Sequence, residues 1–153
     1  MMRKHFINKL ALENEIPHES FVFLGGTCNN SKWREKLIGN LEIPYFDPVV
    51  VDWNESCIEK EEKAKSKAKI QLYVITPKQK GFYSIAEFCI AACLKQDTVI
   101  TFINDDDGEI FDKDQLKSIE AIKSLLSEHT EAKFFDTLDK TANYLNTKLS
   151  NII

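Results

Sequence analysis

A carboxylate next to a predicted helix start is the residue whose type and position best suit chemistry. Glu87 follows Tyr83 and Ser84, and this segment comes after residues 72–77, an apolar run ended by proline that predicts a buried strand. Residues 88–94 predict a buried helix, so we expect Glu87 in its first turn, just beyond the carboxyl end of a strand. In open α/β sheets this edge is where ligands bind.

The same segment also has a purely structural interpretation. Ser84 and Glu87 match the S-x-x-E capping box, in which the two side chains satisfy each other's backbone donors at a helix start. Tyr83 stands where its hydroxyl could donate a hydrogen bond to the Glu87 carboxylate. Spacing alone favours the capping box, whereas residues elsewhere in the chain favour the chemical interpretation.

A glycine pair follows the first predicted strand, residues 21–24. Gly25 and Gly26 would let the backbone approach a ligand closely, and Thr27 and Asn29 precede a helix start that attracts anions. The same residues fit a tight turn between strand and helix. Neither a dinucleotide fingerprint nor a P-loop is present.

Further carboxylates follow the second predicted strand, residues 43–46. Asp47 lies at its end, with Asp52 and Trp53 beyond it. Asp47 also fits a turn, and Trp53 fits either stacking on a base or a core position. The three strand ends together offer carboxylates, aromatic faces and amide donors around one cleft. This set suits glycosyl chemistry, in which a carboxylate attacks an anomeric carbon and an acid assists the leaving group.

The elements that must position these residues alternate between strands and helices. Such a pattern predicts right-handed β-α-β units and a parallel sheet covered on both faces. The predicted strands span residues 21–24, 43–46, 70–75, 98–103 and 134–135. The predicted helices span residues 3–14, 32–39, 55–68, 114–128 and 137–149, with one more that carries Glu87.

Three local patterns complete this prediction. The charged run 60–67 is expected to face solvent. Residues 104–108 predict an acidic turn. Cys89 and Cys93, one helical turn apart, predict buried free thiols.

Composition narrows the class of protein. A chain of 153 residues suits one domain. The net charge of −4 and the pI of about 5.4 argue against a protein that binds nucleic-acid backbones. No apolar segment approaches the roughly 18 residues of a membrane span. The amino terminus has no signal-peptide pattern, so a cytoplasmic protein is predicted. Histidines and cysteines form no metal motif, and neither a metal nor a cofactor is predicted.

Several motifs, in order, resemble the nucleoside 2-deoxyribosyltransferase-like family, in particular its small bacterial and phage-type members. The motifs are residues 22–29, 33–35, 45–50, 72–77 and 83–87. The resemblance runs from about residue 20 to 145, which divides the chain into an amino-terminal helical extension, 1–19, and a transferase-like domain, 20–153. It implies a flavodoxin-like, Rossmann-type three-layer α/β sandwich with a five-stranded parallel sheet, and a homo-oligomer of two or more subunits.

The resemblance also implies roles for individual residues. Glu87 would be the nucleophile that forms a covalent glycosyl-enzyme with a deoxynucleoside, and a second base or water would resolve it with net retention. Asp47 or Asp52 would be the acid or base-binding group, with Tyr83 beside them. The predicted substrate-binding residues are Gly25, Gly26, Thr27, Asn29, Trp33, Trp53, Thr76 and Ser84. Two alternatives stay open, which are hydrolysis of a nucleotide or NAD and a non-catalytic nucleotide-binding module.

Overall fold

A computed structural model describes residues 21–49 and 55–150. The predicted helix 3–14, the extension 1–19, Asp52 and Trp53 lie outside these residues. In chain order the elements are β1 (Val22–Gly26), α1 (Trp33–Asn40), β2 (Tyr45–Phe46), α2 (Glu55–Lys67), β3 (Ile70–Ile75), α3 (Tyr83–Cys93), β4 (Thr98–Phe102), β5 (Asp105–Asp106), β6 (Glu109–Ile110), α4 (Lys113–His129), β7 (Lys133–Phe135) and α5 (Leu138–Ser150).

The main sheet has five parallel strands in the order β2-β1-β3-β4-β7. The chain goes from β1 to β2 on one side of the sheet, then crosses to β3, β4 and β7 on the other side of β1. The direction of winding therefore reverses between β1 and β3. In doubly wound sheets, ligands bind at the carboxyl ends of the strands where this reversal occurs. The predicted flavodoxin-like three-layer sandwich is confirmed.

Alternating side chains divide the core into two layers. On one face of the sheet Leu72 and Val74 of β3 pack with Leu37 of α1 and Leu145 of α5. On the other face Tyr73 packs in a cluster with residues of α2, α3 and α4. Because both faces are covered, the central strands β1, β3 and β4 are mostly apolar on both sides, and this made them recognisable in the sequence.

The predicted burial of α3 is wrong for one of its faces. Phe88, Ala91 and Ala92 face the core, but Ile90 and Leu94 are 61% and 75% exposed. Cys93 is exposed and Cys89 half-buried, so the prediction of two buried thiols is also wrong. The physical reason is that both sides of this helix are apolar, so hydrophobicity alone could not give its rotation about its axis.

The predicted acidic turn at 104–108 is instead a two-stranded hairpin, β5 paired antiparallel with β6. Asp107 and Gly108 connect the strands, with φ of 54° and 84°. Positive φ at both positions is the geometry that Asp-Gly favours in tight hairpins. After the hairpin, Asp112 caps α4 in a capping box with Gln115. No helix among residues 21–49 and 55–150 is long and apolar enough to cross a membrane.

Candidate functional site

The glycine pair at the end of β1 is required by packing. A Cβ on Gly25 would lie 2.6 Å from the Tyr73 ring, and a Cβ on Gly26 would overlap the backbone of Val74. Gly26 also has a φ of +117°, which side chains rarely adopt. Both glycines end β1 and line a cavity, and the tight turn expected from the sequence follows them at Asn29 and Asn30. We call residues 25–31 the β1 turn.

Two cavities meet at Glu87. We call the first the turn-side cavity; it measures about 320 Å³ and lies between the β1 turn, the end of β2, α2 and the start of α3. Its lining residues are Gly25, Gly26, Cys28, Arg34, Pro48, Val49, Glu61, Tyr83, Ser84 and Glu87. The second, the helix groove, measures about 440 Å³ and runs between α2 and α3. Glu87 and Tyr83 line both cavities. The turn-side cavity brings together five of the predicted site residues: Gly25, Gly26, Tyr83, Ser84 and Glu87.

Glu87 does not cap its helix. The helix begins at Tyr83 after the N-cap residue Phe82, which makes no side-chain capping hydrogen bond, and Glu87 lies in the second turn. The capping-box and first-turn predictions are therefore wrong, because the helix begins one residue earlier than Ser84. Among the described residues, the hydrogen-bond partner of the Glu87 carboxylate is Lys65 rather than Tyr83.

Lys65 faces inward from the charged run that was expected to face solvent. Its Nζ lies 2.8 Å from Glu87 Oε2 and 2.6 Å from Glu62 Oε1. The side chains of Lys65 and Glu87 are each 12% exposed. Burial alone would lower the pKa of Lys65, but the hydrogen bonds to the two carboxylates outweigh it and raise the pKa. The prediction of a solvent-facing run is wrong at this residue, which is a firmly charged ammonium beside Glu87.

Glu61 is a second carboxyl group on the turn-side cavity, and sequence reasoning missed it. Burial raises its pKa, and the charge of Glu87 raises it further, while Lys65 opposes both. Glu61 thus holds its proton to higher pH than an exposed glutamate. The buried Ala64 and Ala68, spaced by one helical turn, were the available signal for this inner face. We call Glu61, Lys65 and Glu87 the charged cluster.

Arg34, in α1, is a buried cation that contacts the β1 turn. Its Nε donates to the carbonyl oxygen of Leu24 at 3.2 Å and its Nη1 to that of Thr27 at 2.8 Å. Its guanidinium lies 4.4 Å from the centre of the Trp33 ring. Burial lowers the pKa of Arg34, and nearby groups including Asp47 partly restore it. Arg34 therefore holds the turn in place and also presents a cation to the turn-side cavity.

Asp47 lies beside Arg34, at 3.6 Å between Oδ1 and Nε. The same oxygen accepts a hydrogen bond from the backbone N–H of Val49 at 3.0 Å. Burial raises the pKa of Asp47, and both contacts oppose that shift. Asp47 thus contacts Arg34 and does not line the turn-side cavity, whereas Glu61 does line it.

Several predicted substrate-binding residues join the loops to one another. Thr27 Oγ1 accepts a hydrogen bond from the Thr76 backbone N–H at 3.0 Å and donates one to Gln79 Oε1 at 2.7 Å. Trp33 Nε1 donates to the Thr27 carbonyl oxygen at 2.7 Å. These four residues, Thr27, Trp33, Thr76 and Gln79, are called the loop cluster below. Asn29 adds a bond from its Nδ2 to the carbonyl oxygen of Lys78 at 3.1 Å.

Trp33 and Thr76 also line a third cavity, of about 260 Å³, near the start of α5. They lie apart from the turn-side cavity, so their role in binding substrate stays a prediction. Within the described residues, no group of three or more histidine, cysteine, aspartate or glutamate side chains is arranged to hold a metal ion.

One comparison with known proteins bears on this site. The model of a family described as nucleoside 2-deoxyribosyltransferase like matches residues 19–105. The match covers more than half of the chain and includes β1, the β1 turn, α2, β3 and α3. No curated protein matches the chain.

Proposed function

Because the chain belongs to the nucleoside 2-deoxyribosyltransferase-like family, we propose that it cleaves or exchanges the N-glycosidic bond of a deoxynucleoside or deoxynucleotide. One observation carries this proposal. A largely buried Glu87 carboxylate lies where two cavities meet, 2.8 Å from the ammonium of Lys65. Attack on an anomeric carbon needs a charged carboxylate in such a sheltered position.

The proposed reaction has two steps. Glu87 attacks C1′ through Oε1, the oxygen that Lys65 does not hold, and the bond from C1′ to the base nitrogen breaks with its electron pair going to the base. A second base or a water molecule then attacks C1′. The bond from C1′ to the glutamate oxygen breaks, its electron pair returns to the carboxylate, and the configuration at C1′ is retained overall.

Glu61 is the proton donor that we propose for the departing base. It lines the same cavity as Glu87, and its pKa is raised by burial and by the Glu87 charge. A carboxyl group with a raised pKa beside a carboxylate that contacts a cation is the usual division between acid and nucleophile. Asp47 and Asp52 keep their predicted role as competing candidates. The pKa of Asp47 is also raised by burial, but its carboxylate contacts Arg34.

The walls of the turn-side cavity supply the proposed substrate contacts. Gly25 and Gly26 bring backbone close to the cavity, and Ser84 adds a hydroxyl. Tyr83, which is 71% exposed, offers an aromatic face at the junction of the two cavities. We place the sugar near the glycines and Ser84, and the base near Tyr83.

Substitution of Glu87 tests this proposal. Glu87→Gln keeps the shape but removes the nucleophile, so release of free base from a panel of deoxynucleosides, deoxynucleotides and NAD should fall below detection by chromatography. A 2-fluoro-2-deoxynucleoside should add one sugar mass to the wild-type protein and none to the variant. Glu59→Gln, which alters an exposed glutamate of α2, is the matched control and should behave as wild type.

Addition of a second base to the same assay separates transfer from hydrolysis, since transfer yields a new nucleoside and hydrolysis yields free sugar. The competing candidate is a non-catalytic nucleotide-binding module. The observation that favours it is the ion pair itself, because a structural pair would also hold Lys65 against Glu87. Turnover by Glu87→Gln, or no turnover of any substrate by wild type, would sink the enzyme proposal and leave the binding module.

We also propose that the chain forms a homo-oligomer through α3 and acts in the cytoplasm. Tyr83, Ile90 and Leu94 are exposed along one side of this helix and line the helix groove. A second copy of the chain on this face would bury the apolar side chains and exclude water from the Glu87 side of the groove.

A further inference from the structure

Lys65 contacts the proposed nucleophile at an atom that changes charge twice in the reaction. Its ammonium lies 2.8 Å from Glu87 Oε2, and both side chains are largely buried. We infer that Lys65 is a positioning residue that accelerates the second step, the release of the sugar from Glu87. This inference rests on the proposed function.

The charge of Glu87 decides which states Lys65 stabilises. Before attack the carboxylate is negative and pairs with the ammonium. In the covalent intermediate the carboxylate is a neutral ester, and most of that attraction is lost. Lys65 therefore stabilises the free carboxylate relative to the ester, which favours breakdown of the intermediate.

The second step returns an electron pair to Oε1, and the negative charge is shared with Oε2, the oxygen that Lys65 contacts. An acceptor nitrogen or a water oxygen forms a bond to C1′, and the bond from C1′ to the glutamate oxygen breaks. The proton that the acceptor loses passes to Glu61, which gave its own proton to the departing base in the first step. The released carboxylate regains its negative charge 2.8 Å from Lys65 Nζ. A leaving group that is stabilised as its charge develops leaves faster.

The surroundings keep Lys65 charged and in place. Glu62 binds its ammonium from the solvent side at 2.6 Å. Among the described residues, the other titratable groups that line the two cavities, besides Glu87, Lys65, Glu62 and Arg34, are all of acidic type: Cys28, Glu61, Tyr73 and Tyr83. Arg34, the cation that lines the turn-side cavity, contacts backbone carbonyl oxygens and Asp47. Lys65 is thus the cation in direct contact with Glu87 among the described residues.

The two steps can be timed separately with a 2-fluoro-2-deoxynucleoside, because the fluorine slows both and allows the adduct to be isolated. Intact mass spectrometry gives the rate at which the adduct forms and, after removal of excess reagent, the rate at which it disappears. We expect adduct loss to slow about fivefold or more in Lys65→Met, the upper end for an exposed ion pair, since this pair is largely buried. Adduct formation should be unchanged or faster, because Lys65 stabilises the free carboxylate from which that step starts.

Three further variants make the result specific. Lys65→Gln should behave as Lys65→Met, and it serves if the methionine variant does not fold. Lys65→Arg keeps the cation and should restore adduct loss towards the wild-type rate. Lys63→Met alters an exposed lysine of the same helix and should change neither rate.

The possible results test the role of Lys65 separately from the proposed function. Equal slowing of both steps in the neutral Lys65 variants, an unchanged rate of adduct loss, or failure of arginine to rescue would overturn the inference alone. No adduct on the wild-type protein would overturn the proposed function and the inference together. Selective slowing of adduct loss, with rescue by arginine, would support both.

Discussion

Two groups of polar residues border the carboxyl ends of β1 and β3, and they differ in what their polar atoms contact. In the loop cluster, the Thr27 hydroxyl bonds to Thr76 and Gln79, and Thr27 and Thr76 are fully buried. In the charged cluster, Glu61 and Glu87 line a cavity. Polar atoms that are satisfied inside the protein stabilise the loops, whereas charged groups on a cavity remain available to a ligand.

The sequence alone could not separate the loop cluster from the charged cluster. Thr27, Thr76, Trp33 and Glu87 all follow predicted strands, so each was a candidate for the site. Their different roles depend on hydrogen bonds between loops distant in sequence, such as the bond that joins Thr27 to Gln79.

The largest effect is expected at the charged cluster. Glu61→Gln should lower kcat/KM for the best deoxynucleoside by about 100-fold, the lower end for loss of a general acid. The acid must carry its proton, so wild-type activity should fall as pH rises through the raised pKa of Glu61, and this basic limb should vanish in the variant. A pH profile of kcat/KM measures both effects.

Asp47→Asn is the matched comparison for Glu61→Gln. It should lower kcat/KM less, because Asp47 contacts Arg34 and does not line the cavity. If the two losses are reversed in size, Asp47 is the acid and the sequence-based assignment is the better one.

The loop cluster should respond through stability. Thr27→Val removes the hydroxyl that accepts from the Thr76 N–H, and an unsatisfied buried donor costs about 1–3 kcal/mol of unfolding free energy. Urea denaturation measures this loss, and Thr27→Ser, which keeps the hydroxyl, should recover most of it. A Thr27→Val protein of unchanged stability that lost activity on the scale of Glu61→Gln would mean that Thr27 binds substrate, and the contrast between the clusters would fail.

The smallest expected effect on catalysis comes from the exposed side of α3. Ile90→Asp places a charge on the proposed contact between copies, so light scattering should show the mass falling from an oligomer to a monomer. We expect activity to drop only a few-fold, since Ile90 is 61% exposed and has no role in either step of the proposed reaction. Lys117→Asp, on the exposed side of α4, is the control. A wild-type monomer at micromolar concentration would contradict the proposed assembly.

The sequence predicted the scaffold better than the site, for a physical reason. Strand β3 matches its predicted bounds because it is apolar except for Gln71 and because Pro77 follows soon after its end. The parallel sheet covered on both faces followed from strands and helices that alternate. The position of Glu87 at the strand edge was also recognised from sequence, and the family match covers it.

The errors concern helix rotation and helix starts. Lys65 and Glu61 lie in a run of charged residues, where the inward side is marked only by two alanines. The start of α3 at Tyr83 removed the capping box, although its sequence pattern is complete. Both depend on how a helix sits against the sheet, which charge and spacing do not specify.

Gly26 has no room for a side chain, and this restricts which residues can replace it. An added Cβ would overlap the Val74 backbone, so substitution there must separate β1 from β3 at the floor of the turn-side cavity. At Gly39 and Gly81 a Cβ would meet nothing within 4 Å. A library of substitutions should therefore recover glycine alone at position 26 and many residues at the other two, because the spacing of β1 and β3 leaves no room for a side chain at position 26.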